Sequence, residues 1–163
     1  MKISGTIITL NAEKYISRAI KSLSNICDEI IVLDSDSSDS TREIAESCGA
    51  IVHIQPFLGD GAQKKEASKY TSNKWVFSLD ADEYLDQDLI DYVNNEKLLD
   101  KNCDSFAFRR KNFCGDEWIK AAGFYPDYVT RLYDKTKVNY DTRHDHAAVQ
   151  SKKTVKVNSH IIH

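Results

Sequence analysis

The sequence predicts an α/β fold built on one mixed, mostly parallel sheet that is flanked by helices. Over the first hundred residues, short β-branched and apolar segments alternate with segments of helical character, which is the pattern of repeated strand–helix units. One predicted strand, residues 29–33, is a continuous apolar run, as expected of a strand buried on both faces. Acidic clusters follow two of the strands, and the carboxyl ends of parallel strands are where such sheets bind ligands.

The first half of the chain supplies four strands and four helices in alternation. Strands are predicted at residues 3–9, 29–33, 50–54 and 75–79. The first helix, residues 14–25, carries Ile16, Ala19, Ile20 and Leu23 on one face. The other helices are predicted at Thr41–Cys48, at 62–71, and after Asp86, where Leu89, Ile90, Val93 and Leu98 recur at helical spacing. Ser40 and Glu43 form a capping-box pattern before the second helix.

The second half of the chain is poorer in helical pattern. Residues 104–110 and 128–133 alternate as strands do, and the segment between them is rich in aromatic and small residues. Since 163 residues fit one folding unit, we predict a single domain over 1–163 with two halves, 1–100 and 101–163.

Composition excludes several classes of protein. A net charge of −3 and a pI near 5.9 give no broad basic surface for nucleic acid. The apolar runs are far shorter than the roughly 20 residues of a membrane span, and the N-terminus lacks the pattern of a signal peptide. The four cysteines match neither a zinc site nor a redox pair, so we expect reduced thiols in a cytoplasmic protein.

The two acidic clusters are the main chemical signal. Asp34 and Asp36 follow the second strand, and Asp80, Asp82 and Glu83 follow the fourth. Residues two apart in an extended chain point the same way, so Asp80 and Asp82 can face one ligand. Paired carboxylates are typical ligands of Mg²⁺ or Mn²⁺.

Each cluster also has plainer interpretations. Asp and Ser after a strand are ordinary turn and capping residues. A strand followed by Asp-x-Asp also resembles haloacid-dehalogenase phosphatases, in which Asp34 and Asp36 would fill the motif. That motif usually ends the first strand, whereas here it ends the second.

Three segments in this order resemble the family 2 glycosyltransferases, which have the GT-A fold. They are TLNAEKYISRAIKSL, DEIIVLDSDSSDST and WVFSLDADEYL, and the later stretch WIKAAGFYPDYVTRLYD resembles the bacterial branch that builds the lipopolysaccharide core. By this resemblance, residues 1–100 bind a nucleotide sugar and 101–163 form the acceptor side. Relatives in this branch continue well past His163, so we expect the chain to be shortened at its C-terminus relative to them.

The resemblance implies a nucleotide site after the first two strands. Thr9, Asn11 and Glu13 are expected to line it, and Asp34 is expected to contact the base of a UDP-sugar. Asp36 stands where many relatives have Gly, so the loop there must accept Asp in a conformation that Gly favours.

The resemblance also implies the reacting groups. Asp82 of the DXD motif is the expected metal ligand, with His144 as a second, while Asp80 reaches the ribose or a metal-bound water. Asp127 matches the position of the base that takes the acceptor proton in an inverting transfer. The side chains expected to hold the Asp127 region, contact phosphate or stack on a sugar ring are Arg131, Arg109, Arg110, Trp118, Phe124 and Tyr125.

The implied function is transfer of glucose or a related hexose from a UDP-sugar to a saccharide or lipid-linked glycan, with Mg²⁺ or Mn²⁺. The implied location is the cytoplasm, with peripheral association at the inner membrane if the acceptor is lipid-linked. A nucleotide-sugar-binding module without turnover is the alternative from another class.

Overall fold

The structure is a computed structural model that describes residues 1–95, 102–120, 125–142 and 148–163. The helices are α1 Ile16–Leu23, α2 Thr41–Ser47, α3 Asp60–Ala67 and α4 Gln87–Asn94, and a 3₁₀ turn covers Ser68–Tyr70. The strands of the first half are β1 Ile3–Thr9, β2 Glu29–Asp34, β3 Ile51–Ile54, β4 Trp75–Asp80 and β5 Tyr84–Leu85. The strands of the second half are β6 Ser105–Lys111, β7 Phe113–Cys114, β8 Glu117–Trp118, β9 Asp127–Asp134 and β10 Thr154–Ile162.

Within the described residues, eight strands form one mixed sheet in the order β3-β2-β1-β4-β9-β6-β10-β5. The strands β1 to β4 are mutually parallel, whereas β9 runs antiparallel between β4 and β6. A separate hairpin joins β7 and β8. The predicted fold class is confirmed, and the inserted antiparallel strand brings the start of β9 to the edge where β1, β2 and β4 end.

The core lies between the sheet and the helices. The face of α1 predicted from sequence is buried, with Ile16, Ala19, Ile20 and Leu23 each at most 1% exposed. Gly5 of β1 lies so close beneath α1 that an added Cβ would lie 3.1 Å from a Leu23 methyl group. The C-terminal end of α1 therefore packs closely against the backbone of β1 at this point.

The predicted helix caps had different outcomes. Asp86 caps α4 as predicted, since its Oδ1 accepts a hydrogen bond from the Leu89 amide at 3.0 Å. The capping box of Ser40 and Glu43 is wrong, because the Ser40 side chain makes no capping bond. Asp39 accepts from the Thr41 amide instead, at 3.0 Å. Leu98 lies outside the described residues.

No helix in the described ranges is both long and apolar enough to cross a bilayer. The four cysteines form no disulfide, and only Cys114 is exposed.

Candidate active site at the carboxyl edge of the sheet

The loops after β1 and β2 bind each other through side chains that the sequence had assigned to a ligand. The side-chain oxygen of Asn11 accepts a hydrogen bond from the Ser38 amide at 2.9 Å. The Glu13 carboxylate accepts one from the Ser40 amide at 3.2 Å. Asn11 has a φ of 50°, a left-handed conformation that Asn tolerates. Both residues are exposed at the rim, where they hold the two loops together.

The Asp34 carboxylate is fully buried at the end of β2. It accepts from the Ser37 amide at 2.8 Å and from the Ser37 hydroxyl at 2.5 Å. Asp36 adopts a φ of 68°, the conformation that a Gly would favour at this position. Asp34 therefore fixes the loop from within, and its contact with a base stays a prediction.

A cleft of about 250 Å³ opens beside these loops. Its lining is mainly apolar and consists of Ile8, Thr9, Leu10, Ser35, Phe57 and Asp80. Phe57 is 61% exposed, and the Thr9 hydroxyl is buried with no hydrogen-bond partner among the described residues. A flat apolar slot with an exposed ring and a spare hydroxyl suits a planar heterocycle.

Asp80 is held between two cations. Its carboxylate lies 2.8 Å from Lys64 Nζ and 2.7 Å from Arg131 Nη2. Burial would raise the pKa of Asp80, but the attraction of Arg131 and Lys64 outweighs it and holds that pKa below its ordinary value. Asp80 is thus an anion already neutralised by protein groups, which leaves Asp82 as the carboxylate that is available for a metal.

Arg110, and not Arg131, contacts Asp127. Arg131, expected to hold the Asp127 region or to contact phosphate, bonds Glu83 at 2.6 Å as well as Asp80, and its contact with phosphate stays a prediction. Arg110 holds Asp127, with its Nε and Nη2 both 2.9 Å from Oδ2. The sequence does not show which strand lies beside β4, and that neighbour decides which arginine meets which carboxylate.

Asp82 is exposed, and its partner is a histidine that the sequence left without a role. The Nε2 atom of His163 lies 3.4 Å from the Asp82 carboxylate. Each group stabilises the charged form of the other, so the hydrogen bond raises the pKa of His163 and lowers the pKa of Asp82. The Nδ1 atom of His163 lies 3.0 Å from the Asn112 side-chain oxygen. His144, the predicted second ligand, lies outside the described residues.

Asp82 and His163 together offer a carboxylate oxygen and an imidazole nitrogen to a divalent cation. No group of three or more His, Cys, Asp or Glu side chains that could hold a metal is present in the described ranges. Metals that bind with substrate phosphates need only one or two protein ligands, because phosphate oxygens and water complete the shell. The oxygen of Asp82 and the nitrogen of His163 suit Mn²⁺, and Asn112 would orient the imidazole through its other nitrogen.

Asp127 lies at the start of β9, with its side chain 28% exposed. Asn112 Nδ2 is 3.5 Å from Asp127 Oδ2, so Asn112 lies between Asp127 and His163. Asp127 is therefore linked to Asp82 through Asn112 and His163, and the proposed base and metal ligand share one edge.

Arg109 does not join the carboxylates. Successive strand residues point to opposite faces, and Arg110 takes the position beside Asp127. Arg109 donates to the hydroxyl groups of Tyr128 at 3.0 Å and Tyr125 at 3.2 Å. Phe124 lies outside the described residues.

Comparison with known proteins indicates one family. The sequence model described as Glycosyl transferase family 2 matches residues 4–158. An uncharacterized glycosyltransferase of Rickettsia conorii is 49% identical over 157 residues, which cover 88% of this chain and 54% of that protein. The lipopolysaccharide core biosynthesis glycosyltransferase LpsC of Rhizobium meliloti is 37% identical over 94 residues, which cover 55% of this chain and 34% of LpsC. The chain spans about half the length of the R. conorii relative.

Two solved structures share the fold. S. aureus TarS 1–349, in complex with UDP-GlcNAc, has a TM-score of 0.72 and 18% identity, and the match covers 100% of this chain and 58% of that one. The glucosyl-3-phosphoglycerate synthase of Mycobacterium tuberculosis, in complex with Mn²⁺, UDP and phosphoglyceric acid, has a TM-score of 0.57 and 26% identity. That match covers 67% of this chain and 43% of that one.

Proposed function

The chain belongs to glycosyl transferase family 2, and on that basis we propose that it moves a hexose from a UDP-sugar to a hydroxyl group of a saccharide acceptor. Its fold is the GT-A fold, as predicted. Glucose is our first candidate for the hexose, with inversion at the anomeric carbon. The similarity to LpsC supports a role in the synthesis of lipopolysaccharide or another cell-surface glycan.

One observation carries the proposal. Asp82 and Asp127 are 45 positions apart in sequence (127 − 82), yet Asn112 and His163 link them across one edge of the sheet. A transferase needs an acceptor-activating base beside the site that neutralises the leaving diphosphate. The apolar cleft at Thr9 and Phe57 opens on the same edge, because Asp80 lines it too.

The residues of this chain divide the work. The cleft holds the uracil, with Thr9 as a hydrogen-bonding group and Asp34 shaping the loop behind it. Asp82 and His163 would hold Mg²⁺ or Mn²⁺, which supplies positive charge to the leaving diphosphate when it is bound. Asp80 is kept anionic by Lys64 and reaches the ribose.

Asp127 removes the proton of the acceptor hydroxyl. Arg110 contacts only one of its two oxygens among the described residues, so Oδ1 is available to the acceptor. Because Nε and Nη2 of Arg110 both contact Oδ2 of Asp127, the Oδ1 atom is held in a fixed direction. Such a positioned base contributes about 10²–10⁴-fold to the rate.

The test separates binding from transfer. Calorimetric titration of UDP is expected to show binding with Mn²⁺ and its loss with EDTA. Asp82→Asn should abolish the metal-dependent part, while Asp127→Asn should bind UDP normally and transfer at least 100-fold more slowly. Asp91→Asn, an exposed change on α4, is the matched control and should alter neither. Normal transfer by Asp127→Asn would remove that residue as the base.

Two alternatives are separated by the same assays. Binding of a UDP-sugar without any product would support a nucleotide-sugar-binding module. The phosphatase interpretation requires an accessible Asp34 nucleophile, whereas this carboxylate is buried and bonded to Ser37. Family membership also leaves that alternative without support.

We further propose that the protein acts in the cytoplasm, where nucleotide sugars are made. Peripheral association with the inner membrane is expected if the acceptor is a lipid-linked glycan.

A further inference from the structure

A row of alternating cations and aromatic rings includes Tyr128, the residue that follows Asp127 in β9. We call it the cation–aromatic row, and its members are Lys120, Trp118, Lys111, Tyr125, Arg109, Tyr128 and Lys156. All are at least partly exposed, and they come from β6, β9, β10 and the β7–β8 hairpin with the residues that follow it.

The first part of the row surrounds Trp118. The ammonium group of Lys120 lies 4.2 Å from the centre of the Trp118 ring, and that of Lys111 lies 5.1 Å from it. Tyr125 packs edge-on against the same ring, with the ring centres 5.0 Å apart. Two cations thus frame one indole that Tyr125 supports from the side.

The second part of the row surrounds Tyr128. The Arg109 guanidinium lies 5.8 Å from the Tyr125 ring and 5.7 Å from the Tyr128 ring. Lys156 Nζ lies 4.8 Å from the Tyr128 ring on β9. Hydrogen bonds from Arg109 to both tyrosine hydroxyls fix the middle of the row, so its shape is set before any ligand arrives.

The charge of the row is not balanced. Among the ion pairs of the described ranges, none involves Arg109, Lys111, Lys120 or Lys156. By contrast, Lys64, Arg110 and Arg131 each contact carboxylates. Four cations without an ion-pair partner among the described residues therefore lie together along the row.

We propose that the cation–aromatic row is the acceptor-binding surface and takes a saccharide that carries carboxylate or phosphate groups. Aromatic rings stack on the apolar faces of sugar rings, and the unpaired cations match anionic substituents. Tyr125 and Tyr128 flank Asp127 in sequence, and Tyr128 also lines the 320 Å³ cleft that contains Asp80. Tyr128 shares that cleft with Arg110, which holds Asp127, so a saccharide lying along the row reaches this cleft.

An anionic membrane surface is the competing occupant. The row has no aliphatic member, although the exposed Phe113 pairs with Trp118 in the β7–β8 hairpin. The row lies on strands and the residues beside them, whereas surfaces that enter a bilayer carry their basic and protruding apolar residues on a helix. The observations therefore favour a saccharide. The acceptor role of the row rests on the proposed function, whereas its preference for an anionic saccharide rests on the row alone.

The experiment uses tetragalacturonate as the anionic probe and its methyl ester as the neutral one. Binding is followed by calorimetry and by tryptophan fluorescence in low and high salt. The wild-type protein should bind tetragalacturonate but not the ester, and the affinity should fall as salt rises. Lys120→Gln/Lys156→Gln should weaken binding roughly tenfold, about threefold for each exposed ion pair. Lys2→Gln/Lys21→Gln, two exposed lysines elsewhere, is the control and should bind like the wild type.

The outcomes are separable. Equal binding of both probes, or equal affinity in the two double variants, would overturn the proposal. Sedimentation with phosphatidylglycerol vesicles that depends on Lys120 and Lys156, without tetragalacturonate binding, would identify a membrane surface and would also overturn it. Trp118→Phe should remove the fluorescence response and leave calorimetric binding within a few-fold, which ties the signal to the row.

UDP titration in the same samples distinguishes the two proposals. Intact Mn²⁺-dependent UDP binding without probe binding would refute the row and leave the donor site standing. Probe binding without UDP binding would support the row as an anionic-saccharide surface and refute the proposed transferase function.

Discussion

Replacing Arg131 by methionine should destabilise the protein by about 3 kcal/mol. The guanidinium is 4% exposed and lies 2.6 Å from Glu83, which is 1% exposed, and 2.7 Å from Asp80. Removing one partner of a buried pair costs roughly 3–5 kcal/mol, because the other charge stays buried without compensation. The lower end applies here, since Asp80 keeps Lys64 and Glu83 keeps a longer contact of 3.4 Å with Arg110.

Urea denaturation followed by circular dichroism measures this loss. In a domain of this size, about 3 kcal/mol corresponds to a fall in Tm of roughly 6–12 °C. Lys137→Met is the matched control, because its pair with Asp104 is largely exposed and is expected to contribute less than about 1 kcal/mol. Adding Glu83→Gln to Arg131→Met should recover part of the loss. A loss for Arg131→Met no larger than for Lys137→Met would refute the reasoning.

Three further predictions concern local features. Asp86→Ala should cost about 1 kcal/mol in urea denaturation because it removes the cap of α4, whereas Ser40→Ala should cost less than about 0.5 kcal/mol because that hydroxyl makes no capping bond; equal losses would contradict the capping assignment. Maleimide labelling with peptide mapping should modify exposed Cys114 well before Cys27, since burial and neighbouring carboxylates raise the pKa of the Cys27 thiol. Labelling of Cys27 as fast as Cys114 would count against this packing. Burial opposes ionisation of Glu29, but hydrogen bonds from Ser4 and Ser72 outweigh this effect and lower the pKa of Glu29. Ionised Glu29 therefore contributes stability that is present above its unfolded pKa of about 4.3 and is lost as pH falls through its folded pKa. Glu29→Gln should therefore flatten the fall of stability as pH drops below about 4.3, and an unchanged slope would exclude this contribution.

The first half of the fold followed from local patterns. Apolar spacing identified the buried face of α1 and the strands β1 to β4, because each pattern lies within one element. The spacing of Asp80 and Asp82 likewise identified the carboxylates after β4. The start of α2 at Ser40 was less predictable. The amide of Ser40 donates to the side chain of Glu13, which comes from another loop, and a local pattern does not show such a partner.

The pairing of charged groups across the site could not be predicted. Both Arg110 and Arg131 occupy strands with suitable spacing, and only the insertion of β9 between β4 and β6 decides that Arg131 meets Asp80. His163 looked like a terminal residue without a role, yet β10 brings it to Asp82 from 81 positions away (163 − 82).

By itself, the sequence determined the fold class, the alternation of strands and helices along the first half of the chain, and the identity of the acidic residues at the strand ends. These depend on periodicity and on residue type, which are local properties. Only the tertiary structure decided the partners of those acids and the assembly of the cation–aromatic row. Both depend on which strand ends become neighbours, and that is fixed by long-range packing of the whole sheet, where a shift of one residue turns every side chain to the other face.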